Sequence, residues 1–283
     1  MPPNFAASSI PDTIMDATAW EAELTLGFSQ RGDKTALVKR QHRGPLTVQR
    51  PFYPEAEICH VYLLHPPGGV VAGDRLTINA SAEAAAQALI TTPAAGKFYR
   101  SGGGEAQQAV NLKVAEHASL EWLPQETIVY QGARLDSSMT IDLAEHGRFI
   151  GWEILALGRP AAGEGFDNGS ANLNWRISRA GRLLYLERLR LDAAAFQARW
   201  GLFGHSACGT LFAYPATALH LAAVQALIGE EPNRGVTLIE GLLICRALDR
   251  RADLLKGFFE RVWGLVRGEV VGKEVCLPRI WAT

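Results

Sequence analysis

Three carboxylates stand where a strand pattern calls for apolar side chains, and they are the residues of this chain best suited to chemistry. Asp74 shares a strand face with Leu76 and Ile78, while Arg75, Thr77 and Asn79 take the polar side. Glu153 lies in the apolar run 149–157: Ile150, Trp152, Ile154 and Ala156 fill one face, and Phe149, Leu155 and Leu157 flank the glutamate on the other. Glu187 falls on a face with Leu183, Tyr185, Leu189 and Leu191, opposite Arg188 and Arg190. An inward carboxylate is costly unless it is paired or hydrogen-bonded. Two readings follow. Buried arginines such as Arg75, Arg100 or Arg159 pair with the carboxylates, or the carboxylates line an internal polar path for a divalent cation, since oxygen ligands and water pass an ion along without trapping it as thiolates would.

Other constellations fare less well. His60 and His65 are five residues apart in sequence and point to opposite faces of a strand, so they do not share an ion; His60 reads as a core histidine and His65 as a group ordering the following turn. The glycines at 102–104 are followed by Glu105 and a strand-like run, not by Lys-Ser/Thr and a helix, so they make a turn and no phosphate loop. Residues 205–209 lack the strand, turn and helix of a nucleophile elbow and read as loop. An alternative function remains open on these residues: a metal-dependent hydrolase with Asp74, His65 and Glu187 around one ion. An open pocket with convergent ligands would mark that enzyme, and a narrow path reaching an interface would mark a scaffold.

The elements that must hold the carboxylates are short strands. Residues 58–64 are apolar on both faces; Pro66, Pro67, Gly68 and Gly69 then stop the strand, which restarts over 70–79. Strand-length runs separated by turn signals occur before it at 23–28, 35–40 and 46–50, and after it at 107–114, 119–123, 128–130, 139–143, 149–157, 173–178 and 183–191. The alanine-rich stretch 82–88 is too short for a helix between two strands and reads as loop or strand edge. The Gly-rich stretch 158–171 is a long loop. Helical spacing arrives only after Pro215. Thr217 caps a helix stopping at Gly229, and a second runs from Asp249 through Leu255, Phe258, Phe259, Val262 and Val266 to Gly268, with a strand or strand pair over 236–246 between them. The expected fold is mainly β, layered antiparallel sheets or a β-solenoid-like spiral, with a small C-terminal two-helix part. Residues 1–19 read as a loose tail and 20–283 as a single domain.

A formal net charge of −1 and a pI near 6.7 give no field for sequence-independent nucleic-acid binding. Cys59, Cys208, Cys245 and Cys276 form no paired motif, so reduced thiols and a cytoplasmic location are expected; no apolar stretch is long enough for a signal or a membrane span. With 20 % charged and 48 % apolar residues, some apolar surface is expected to be covered by a partner, and Phe258, Phe259 and Trp263 place that patch on the helical part.

Long ordered blocks carry a resemblance over nearly the whole chain after Trp20: GPLTVQRPFYPE at 44–55, HPPGG at 65–69 with Gly73-Asp74, LITTPAAGKFYRS at 89–101, LEWLPQETI at 120–128, GWEILALGRP at 151–160 and PRIWAT at 278–283. On these the chain resembles the urease accessory protein UreD family, called UreH in some organisms. One departure is Ala72 where the pattern has a glycine before Gly73. The resemblance implies a non-enzymatic maturation factor, a scaffold or chaperone for nickel insertion into urease that acts with UreF and the GTP-hydrolysing UreG on the urease apoprotein. Nickel is then in transit and no cofactor is tightly held. Asp74, Glu153 and Glu187 become the candidate nickel-path residues.

Overall fold

Period-two alternation dominates the chain, and parallel stacking of the resulting strands is what builds the molecule. The computed structural model describes residues 19–282, so most of the tail expected over 1–19 lies outside the described residues. The chain opens with the hairpin β1 (Glu21–Arg31) and β2 (Lys34–Arg43), followed by β3 (Thr47–Val48) and the fully apolar β4 (Cys59–Leu64). It then climbs in coils. β5 (Arg75–Ala82), β6 (Gln87–Thr91) and β7 (Gly96–Phe98) make one turn of the spiral; β8 (Ala106–Val114), β9 (Ser119–Leu123) and β10 (Thr127–Val129) make the next. β11 (Arg134–Leu143) and β12 (Arg148–Leu157) begin a third, and β13 (Ser170–Arg179) returns beneath them before β14 (Arg182–Leu191).

Corresponding strands of successive coils pair in parallel, with Ile78 beside Val110, Val110 beside Met139 and Met139 beside Trp175. The first sheet therefore runs β14-β13-β11-β8-β5-β1-β2, parallel inside and antiparallel at both edges. One face is solvated and polar, where Asn111 donates to Asn79 at 3.0 Å; the other is apolar. The sequence therefore shows alternation even though the strands are parallel. The second sheet joins β6, β9 and β12 in parallel and continues antiparallel through β15 (Ala207–Tyr214), β17 (Leu242–Asp249) and β16 (Arg234–Ile239). Of the two expected arrangements, the spiral is the one realised.

The second sheet is buried on both sides, which explains its continuous apolar runs. Phe149, Leu155, Leu157, Cys208, Phe212 and Ile244 face the first sheet, while Ile150, Trp152, Ile154, Leu211, Leu243 and Cys245 face the helices. α1 (Ala193–Gln197) is a single turn that propensity did not announce, capped by Asp192. α2 (Ala218–Ile228) starts after Thr217 and stops at Gly229, as the capping pattern requires. α3 (Ala252–Val270) begins after the expected Asp249 and runs past Gly268.

Several local expectations are corrected. The restarted strand begins at Arg75, not Val70, because Asp74 holds a turn with the Val71 N–H at 3.0 Å and leaves Val70 only one bridge, to Phe98. Of 46–50, Thr47 and Val48 form the strand, and Gln49 adds one backbone bond to Tyr62 at 3.2 Å. Residues 205–209 are not all loop, since β15 takes Ala207 onward. Ala72 causes no strain: Gly73 alone of the pair takes a positive φ, of 88°. The largest correction concerns α3. Leu255, Phe258, Phe259, Val262 and Trp263 are at most 1 % exposed because they pack on the second sheet, so they are core and not a patch awaiting a partner. Gly209 permits this approach, as a Cβ there would meet Phe259 at 2.8 Å.

One buried ion cluster locks α3 in place. Arg267, fully buried, donates to both oxygens of Glu55 at 2.7 Å and to Glu121 at 3.0–3.3 Å. Trp263 Nε1 adds 2.7 Å to Glu121, and His60 sits 2.6 Å from Glu55. Burial opposes the charge on Glu55, but hydrogen bonds from His60 and Arg267 outweigh it and hold the carboxyl below its usual range. Replacing Arg267 by Met strands both carboxylates, and we expect a loss of about 3–5 kcal/mol in urea unfolding.

Candidate functional site

Between the two sheets lies a cavity of about 660 Å³, and Glu153 and Glu187 both line it. The pairing register explains why. On the inward face of the second sheet, Glu153 of β12 stands beside Thr210 of β15, and Thr210 beside Arg246 of β17. On the facing sheet, Trp175 of β13 stands beside Glu187 of β14. The two rows meet across the gap: Arg246 donates to Glu187 at 2.5 Å and also to the Tyr185 hydroxyl. At this edge the Arg246–Glu187 ion pair joins the sheets beside the ring contact of Tyr185 with Phe212, 5.3 Å between centroids.

Glu153 is the deep end. It is 6 % exposed and accepts from Trp175 Nε1 at 2.6 Å and Ser137 Oγ at 3.2 Å. Burial pushes its carboxyl up to about 7, and the two hydrogen bonds only partly offset that. Among the described residues no arginine pairs with it. Cys208 also lines the cavity, and burial followed by the nearby Glu153 carboxylate pushes its thiol up to about 12. The walls thus carry a carboxylate at each end, Glu187 being held by Arg246 and by the Tyr185 hydroxyl at 2.9 Å, with Thr210 on the row between and Cys208 beside it. Arg246 stays charged because Tyr185 and Glu187 offset its burial. At the rim, Trp200 is 80 % and Phe203 64 % exposed, both in the segment after α1.

Asp74 stands elsewhere. It is 1 % exposed, yet its oxygens are taken by backbone N–H groups, Trp20 at 3.3 Å and Val71 at 3.0 Å, and it does not line the cavity. Arg75, Arg100 and Arg159 pair with none of the three carboxylates; Glu187 does have an arginine partner, but it is Arg246. His60 is a core histidine bound to Glu55. His65 lies against Trp20, with ring centroids 5.3 Å apart, and its imidazole Nε2 has no hydrogen-bond partner, so it is the backbone carbonyl of His65 that orders the turn, accepting from Gly68 at 3.1 Å. A bulge at Ile177/Ser178 shifts the start of β14, so Leu183 points out at 46 % exposure and does not share Glu187's environment.

Sequence reasoning missed Thr210, Cys208 and Arg246 as cavity residues. The signal was present for one of them: Arg246 interrupts the inward row of Leu242, Ile244 and Leu248.

A family model described as the UreD urease accessory protein matches residues 21–282. A protein of Citrobacter koseri named urease accessory protein UreD is 42 % identical over 276 residues, covering 96 % of each chain. One of Dechloromonas aromatica bearing the same name is 42 % identical over 276 residues, covering 94 % of this chain and 95 % of its own. Another, of Pseudomonas putida strain GB-1, is 43 % identical over 265 residues, covering 93 % and 95 %.

The raised carboxyl of Glu153 makes stability depend on pH in a defined direction. From the ordinary value of 4.5 up to about 7, the folded protein keeps a proton that the unfolded chain has lost, so this group's contribution falls as pH rises through that window and is flat above it. Glu153→Gln removes the titration. The stability of the variant relative to the parent should therefore rise by on the order of 3 kcal/mol from acid to mildly alkaline pH, read by urea unfolding at each pH.

Proposed function

Because this chain belongs to the UreD urease accessory protein family, we propose that it is a non-catalytic maturation factor through which nickel passes on its way into the urease apoprotein. It acts in a complex with UreF and UreG, and the GTP chemistry belongs to UreG. The observation that carries this reading is the shared cavity of Glu153 and Glu187. Hard oxygen donors at each end of a gap between sheets can hold a divalent cation in turn without enclosing it. Glu153 suits transfer rather than storage: a carboxyl near 7 exchanges a proton for the ion at neutral pH, so binding is weakened by proton competition.

The hydrolase reading needs Asp74, His65 and Glu187 around one ion; Asp74 lies near enough to His65 to act on its charge, but Glu187 is apart from both. Asp74 is engaged by backbone amides, while Glu187 is across the molecule in the cavity with Arg246. In the proposed path Asp74 has a positioning role, holding the turn that starts β5, and the cation meets Glu153 and Glu187. Exposed Trp200 and Phe203 beside the cavity are the surface we assign to UreF, since aromatic side chains left in water beside a polar opening are typical anchors of an interface.

Co-expression of the urease operon with variants of this chain, with urease protein, bound nickel and activity measured separately, tests the reading. Glu153→Gln and Glu187→Gln should leave the complex with UreF intact and yield urease with less than about half its nickel, whereas Trp200→Ala with Phe203→Ala should lose UreF on co-purification, as hot-spot aromatics contribute about 2 kcal/mol or more each. Full nickel occupancy with both glutamine variants would reject the path.

A further inference from the structure

The turns that join the two sheets stack on one another at one end of the spiral, and the same tripeptide recurs there one coil apart: Ala115-Glu116-His117 between β8 and β9, and Ala144-Glu145-His146 between β11 and β12. Each is closed by a backbone bond, Ala118 N–H to Ala115 at 3.2 Å and Gly147 N–H to Ala144 at 3.1 Å. Parallel pairing places the second turn directly beside the first, with Ala144 N–H on the Val114 carbonyl at 2.8 Å. The side chains meet as a result. The His117 and His146 rings stack with centroids 5.0 Å apart and planes 17° off parallel. Glu116 accepts the backbone N–H groups of Glu145 at 2.9 Å and His146 at 3.1 Å, and lies 2.9 Å from His146 Nδ1. Arg179 is drawn instead to Glu145, and among the described residues no arginine pairs with Glu116.

We propose that Glu116, His117 and His146 form a surface site for a borderline divalent cation of the nickel and zinc class, separate from the cavity between the sheets. One donor atom from each lies within 4.8 Å of the others, and among the described residues no other group of three such side chains does so. Bond lengths of about 2.0–2.2 Å to a common ion put donors about 3–4 Å apart, within a rotamer adjustment of exposed side chains. Two imidazoles and a carboxylate favour nickel, copper or zinc over magnesium and calcium, which prefer oxygen alone. Both histidines and half of Glu116 are open to water, so the ion keeps positions for solvent or for a ligand from a docking protein. The site stands on these contacts alone and does not require the nickel path.

The test is calorimetric titration of the full chain, free of any polyhistidine tag, with zinc and with nickel, and cobalt absorption as a report of coordination. His146→Ala and His117→Asn should each remove one bound equivalent; asparagine is chosen because His117 has φ of 58°, which that residue tolerates. Glu116→Gln should weaken binding by about tenfold or more. Thermal unfolding without metal should not change, since the side chains are exposed. Equal uptake by the parent and the His117→Asn, His146→Ala double variant, or no uptake by the parent, would overturn the proposal.

Discussion

A carboxylate enclosed between two β-sheets is the constraint around which this molecule is arranged. Glu153 is 6 % exposed, and among the described residues an indole N–H and a serine hydroxyl are the hydrogen bonds it accepts. Both donors come from the opposite sheet, Ser137 on β11 and Trp175 on β13, so the glutamate ties the layers together at the place where they would otherwise seal with apolar contact. The gap continues toward Arg246 and Glu187 because polar side chains follow the same register outward. A row of valine or leucine at Thr210 and Arg246 would close it with ordinary core packing.

The third layer makes this gap possible. Because α2 and α3 cover the outer face of the second sheet, that sheet is rigidly backed while its inner face departs from apolar packing. The Arg267 cluster is the firm contact of this backing, joining α3 to Glu55 before β4 and to Glu121 on β9. Arg267 and Glu153, both buried, thus have different characters. Arg267 is saturated with partners and structural; Glu153 is under-compensated and available to an ion.

Much of this was legible in the residues. The alternation of Leu76, Ile78 and Ala80 gave β5 its inward face, and the apolar run of β12 foretold burial on both sides, with Glu153 left over as an anomaly. What could not be read is what depends on stacking. Parallel pairing between coils is set by non-local register, so the adjacency of Trp175 and Glu187, or of His117 and His146, has no signature in a single stretch. Asp74 shows the limit from the other side: its pattern matched that of Glu153, yet a local turn supplies it with two amide donors, and an inward carboxylate satisfied by backbone is invisible to period-two reasoning. Arg267 was hidden likewise, since a helical pattern reads an arginine among apolar residues as surface.

Blocking the gap without touching a carboxylate is the most direct test of the central claim. Thr210 lies between Glu153 and Arg246 and is buried against the cavity, so Thr210→Phe fills space and leaves both charges in place. Nickel bound per urease should be measured after maturation by a complex shown to contain the variant at normal stoichiometry. A cation path through this chain predicts assembled urease that lacks nickel. Normal nickel content, with the phenyl ring seen in the cavity by crystallography, would contradict it.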